Sequence, residues 1–81
     1  MSKIEKLIHR FCLKPVDFTW TELIQLLNHY NFTEVSKGRT SGSRRAFINE
    51  KTNQIIRIHQ PHPANILKQY QIREIREVLG I

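Results

Sequence analysis

Twice near its beginning the chain places a hydroxyl residue three positions before a glutamate and ahead of apolar residues at helical spacing, at Ser2 and Glu5 and again at Thr19 and Glu22. In a capping box the first side chain accepts from an amide of the opening turn while the glutamate reaches back, so each pair marks a helix start. Ile4, Leu7, Ile8 and Phe11 then recur with helical period until Lys14-Pro15 stops the pattern, which predicts a helix over roughly residues 3–12. Phe18 and Leu23 flank the second box as a hydrophobic staple, and Trp20, Leu23, Leu26, Leu27 and Tyr30 share one face. A second helix is expected to run to about Tyr30.

Asn31 ends that pattern, and the period then changes. Phe32 to Ser36 reads as a first strand, followed by the glycine- and serine-rich basic loop Lys37-Gly-Arg-Thr-Ser-Gly-Ser43. Arg44 to Asn49 and Gln54 to His59 read as two further strands around a polar turn at Glu50 to Asn53. If Phe47, Ile56 and Ile58 face the helices, alternation sets Arg44, Ala46 and Ile48 on the opposite side with Arg57 and His59. Gln60-Pro-His-Pro63 cannot continue a ladder, because proline has no backbone donor. Ile72, Ile75 and Leu79 share a last helical face that starts near Gln69, with Gly80 placed to end it. The order is α-α-β-β-β-α, an α+β domain with a three-stranded antiparallel sheet, helices on one face and a basic open face on the other.

With 81 residues, 40% hydrophobic and 25% charged, the composition is that of one ordinary globular domain. No segment has the apolar length of a membrane span or the pattern of a secretory signal, so the chain reads as cytoplasmic. Thirteen Lys and Arg against seven Asp and Glu give a formal charge of +6, which favours anionic partners: nucleic acid first, an acidic protein second. Cys12 stands alone and reads as a small apolar residue.

The hairpin and its proline turn concentrate the residues suited to phosphodiester chemistry. His59 and His62 can act as general acid and base, since imidazole titrates near neutrality and attack by a 2′-hydroxyl needs one proton removed and one returned. Arg39, Arg44, Arg45 and Arg57 can clamp phosphates through the guanidinium fork, with Lys68 at the entrance of the last helix as a further RNA contact. The competing reading of each is plain: an exposed strand-end histidine, a turn histidine against proline, a solvated basic face. The histidine pair lacks third and fourth ligands for zinc, so no metal is expected. His9 and His29 read as structural and Trp20 and Tyr30 as core. Ser41 and Ser43 lack an Asp-His arrangement, and Gly38 and Gly42, flanked by strands, do not form a phosphate loop.

From Trp20 to Ile81 the chain resembles the HicA family of toxins from toxin-antitoxin systems. The resemblance rests on the amphipathic helix ending in Asn31-Phe32, Gly42-Ser43 before the second strand, the proline-bounded histidine after the third, and Leu67-Lys68 before a last helix ending Leu79-Gly80-Ile81. It implies a double-stranded-RNA-binding-domain-like fold, with a core over residues 19–81 and an additional N-terminal helix at 3–12 in a single domain over 1–81. It also implies an mRNA endonuclease without metal or cofactor, a histidine as catalytic residue, and a cognate HicB-type antitoxin as partner. In the family pattern that histidine follows the Gly-Ser pair directly or nearly so, where this chain has Arg44 and Arg45. Either His59 or His62 takes the role, or the chain is a non-catalytic module that binds RNA or an acidic protein.

Overall fold

The computed structural model describes residues 2–35, 44–61 and 64–81, without the side chain of Arg44. Its elements are α1 (Lys3–Cys12), α2 (Trp20–His29), β1 (Thr33–Glu34), β2 (Arg44–Asn49), β3 (Gln54–His59) and α3 (Gln69–Leu79). The order and the α+β class are those expected, and both capping boxes are present. The Glu5 amide donates to Ser2 Oγ at 3.3 Å, and the Glu22 amide donates to Thr19 Oγ1 at 3.2 Å. Thr19 N–H returns to Glu22 Oε1 at 2.9 Å. Ser36 at the end of the expected first strand, the basic loop over residues 37–43, and His62-Pro63 of the proline turn lie outside the described residues.

Glu22 has a second use. Its other carboxylate oxygen accepts from Arg10 Nη1 at 2.7 Å, while Arg10 Nη2 reaches Asp17 Oδ1 at 2.7 Å and the guanidinium lies 5.2 Å from the Phe18 ring centre. Burial opposes ionisation of Glu22, but hydrogen bonds from the Thr19 amide and Arg10 outweigh it and hold the carboxyl below its ordinary range. The Arg10 guanidinium is raised by its bond to Glu22, against the opposing effect of burial. One arginine therefore joins α1 to the cap of α2, and beneath it Phe11 and Phe18 pack with ring centres 4.9 Å apart.

The sheet order is β1-β2-β3, with both pairs antiparallel. Phe47, Ile56 and Ile58 are buried against the helices, and they join Phe11, Phe18, Trp20, Leu23, Leu26, Leu27, Phe32, Leu67, Ile72 and Ile75 in one core. Val35 N–H donates to Ala46 O at 2.8 Å, so Arg44, Ala46 and Ile48 turn their backbone groups toward β1 and Arg45, Phe47 and Asn49 turn theirs toward β3. It follows that Ile55, Arg57 and His59 direct their amides and carbonyls to the outer edge of β3.

The helix bounds fall where expected. α2 ends at His29 with Tyr30 as its C-cap, and Asn31 follows in the left-handed region at φ 70°, a backbone shape asparagine tolerates at a helix end. Leu67 lies outside the phase of α3 yet is buried, because it belongs to an extended bridge: Thr19 pairs with Ile66, Trp20 N–H donates to Asn65 O at 2.8 Å, and Leu67 N–H donates to Phe18 O at 2.8 Å. At its far end α3 closes on Gly80, whose φ of 71° favours glycine.

Candidate nucleic-acid interface

The helices cover one face of the sheet and leave the other to solvent. On that open face the register sets Arg44 opposite His59, Ala46 opposite Arg57, and Ile48 between Thr33 and Ile55. Arg57 and His59 are exposed, and Ile55 is 49% exposed. Cross-strand neighbours have Cα atoms about 5 Å apart and same-face neighbours along a strand about 7 Å apart, so Arg44, Arg57 and His59 occupy adjoining positions. A cation beside an imidazole at that spacing can hold a phosphate while the ring exchanges a proton with it.

The end of β3 is held from the helix side. Gln71, only 3% exposed, donates from Nε2 to the outward-turned carbonyl of His59 at 2.9 Å and accepts the Lys68 amide on Oε1 at 3.0 Å. One residue on, Gln60 Oε1 accepts from Arg45 Nε at 3.2 Å, and Gln60 Nε2 donates to Asn65 Oδ1 at 3.1 Å. Arg45 also pairs with Glu34 at 3.4 Å. With Pro61 buried and Asn65 bound to the start of α2, the chain on both sides of the proline turn is fixed to the core.

Among the expected site residues, the strand register thus sets the positions of Arg44, Arg57 and His59 next to one another. Lys68 is exposed at the N-cap of α3, one hydrogen bond from the residue that holds His59. Arg45 does not join them: its register partner is Ile58, and it lies on the helix side in the company of Glu34 and Gln60. His62 and Arg39 lie outside the described residues. Gln71, Gln60 and Asn65 were not anticipated, although Gln71 stands three residues after Lys68, at the spacing of a capping box, in front of Ile72. Among the described residues no group of three or more His, Cys, Asp or Glu is placed to hold a metal ion, and no helix is long and apolar enough to cross a membrane.

These features define a class: a small α+β domain with one helix-covered sheet face and one open face bearing arginine and histidine at a strand end. Residues 20–81 match the family model of the HicA toxin of bacterial toxin-antitoxin, and the chain belongs to that family. Its role is that of a toxin with an antitoxin as partner. No curated protein and no solved structure matches the chain. α1 and Thr19, the cap of α2, precede the matched segment, yet the Arg10 fork and Phe11 make them one body with it.

Proposed function

We propose that this toxin acts on RNA, cleaving messenger RNA by metal-independent general acid/base catalysis, and that a HicB-type antitoxin neutralises it in the cytoplasm. The observation that carries the reading is the cross-strand pairing of Arg44 with His59, with Arg57 next along the same open face. His59 supplies one proton-transfer step, and His62, three residues on, is the candidate for the other. Arg44 and Arg57, joined by Arg39 from the basic loop and Lys68 from the α3 entrance, hold the phosphates and offset charge developing on the scissile group. Arg45 is read as a brace for the histidine-bearing turn, since Glu34 and Gln60 already engage it.

The arginines that stand where the family pattern has its histidine favour a second reading, in which the chain binds RNA without cutting it. Incubating the purified protein with a generic messenger RNA in the presence of a chelator separates the two. Cleavage that persists, and that His59→Ala or His62→Ala abolishes, supports the nuclease; salt-sensitive binding without cleavage supports the binder.

A further inference from the structure

At the end of the sheet remote from His59, a cleft of about 340 Å3 is lined by Asn28, Asn31, Thr33, Asn49, Glu50 and Lys51. Its size falls within the roughly 300–1,000 Å3 of small-molecule sites. The carboxamide of Asn49 is spent on structure: it donates to Tyr30 O at 3.3 Å and accepts the Lys51 amide at 3.0 Å. Those of Asn28 and Asn31 are exposed and make no hydrogen bond among the described residues. Asn31 has φ 70°, which explains why an asparagine is tolerated there; glycine would serve the backbone as well, and the side chain is left over.

Glu50 and Lys51 both line the cleft, so it offers a phosphate no net positive charge. The last turn of α2 ends here and brings its negative pole to the region of the Glu50 carboxylate, an arrangement that favours a hydrogen-bond donor over an anion. A carboxamide offers one donor and one acceptor side by side, the pattern that matches the amino group and N7 of adenine. The cleft also adjoins the open face. Thr33 lines it and pairs with Ile48, which pairs in turn with Ile55; beyond this apolar pair lie Arg57 and then His59. From Gln54 to His59 the strand spans about 17 Å, a few nucleotides of extended RNA.

We infer that this cleft is a base-reading subsite that accepts an amino-bearing nucleobase, adenine above the others, a few nucleotides from the phosphate held at Arg44 and His59. The inference rests on the RNA reading given above. It is tested with short 2′-O-methyl oligouridines, which cannot be cut through a 2′-hydroxyl, each carrying a single adenine at a different position. The wild-type chain is expected to bind the oligonucleotide with adenine at one position about tenfold more tightly than all-uridine, as one good bidentate contact allows. Asn31→Gly, which keeps the left-handed backbone, and Asn28→Ala should each reduce that preference toward one. A wild type that binds all-uridine salt-sensitively but shows no preference at any position overturns the subsite and leaves the RNA reading standing. So does a preference that both variants retain. Absence of salt-sensitive binding to every oligonucleotide overturns the RNA reading itself, and the subsite with it.

Discussion

Replacing Phe11 by alanine tests whether the helix that precedes the family match is part of the core or an appendage to it. Phe11 has no exposed surface and its ring centre lies 4.9 Å from that of Phe18. Truncating a fully buried phenylalanine costs about 3–5 kcal/mol, in which the lost aromatic pair accounts for about 0.5–1.5 kcal/mol. At about 0.05–0.15 kcal/mol per residue, a chain of 81 residues is stable by only about 4–12 kcal/mol, so this one change removes a third or more of the total in most of that range. In a domain of this size each kcal/mol moves the melting temperature by about 4–8 °C, which predicts a fall of at least about 12 °C. Thermal unfolding followed by far-ultraviolet circular dichroism, with urea denaturation as a second measure, reads it directly. A melt lowered by less than about 4 °C would refute the reasoning, because it would mean that α1 and its aromatic ring leave the matched domain without disturbing it.

Leu27→Ala, in the middle of α2 and without exposed surface, should cost about 2–5 kcal/mol, and a melt moved by only a degree or two would contradict its burial. Because the Glu22 carboxyl is held below its ordinary range, its contribution is complete above the normal ionisation range of a glutamate, about pH 4.3, and is lost as pH falls below it. Glu22→Gln should therefore lower stability at pH 7 and flatten its acid dependence; parallel curves for the two proteins would remove Glu22 from that role. Arg57→Ala should reduce the slope of log binding constant against log salt by about 0.7 on single-stranded RNA, one phosphate contact, whereas Arg45→Met should leave the slope alone. Equal slopes for wild type and Arg57→Ala would take Arg57 off the phosphate path. His59→Ala should keep the fold, since the ring is exposed, and lower any cleavage by a factor of about 10² to 10⁴; cleavage at the wild-type rate by this variant, by His62→Ala and by the double variant would end the histidine mechanism.

Much of this architecture is legible in the amino-acid order, because the signals are local. Ser2 with Glu5 and Thr19 with Glu22 announce helix starts within four residues, and the alternation of Phe47, Ile56 and Ile58 with Arg57 and His59 sorts the two faces of the sheet. Arg45 follows from the same alternation: if Arg44 belongs to the open face, its neighbour belongs to the other. What stays hidden is every contact whose partners are distant in sequence or joined by side chains alone. Leu67 is buried by a bridge to Phe18 and Thr19, which no helical or strand period encodes. The bond from Gln71 to the carbonyl of His59 joins two elements whose relative placement is settled only when the core forms.

The outward turn of the backbone at Ile55, Arg57 and His59 bears on how readily a second copy could add to the sheet. β3 has β2 on one side and no strand on the other among the described residues, so it is an edge strand with donors and acceptors free to template another chain. Three features blunt that edge. Gln71 already occupies the His59 carbonyl, proline at 61 denies a donor just beyond it, and Arg57 brings a positive charge to the middle of the strand, where an antiparallel second copy would bring another. A short strand defended in this way resists pairing with its own kind.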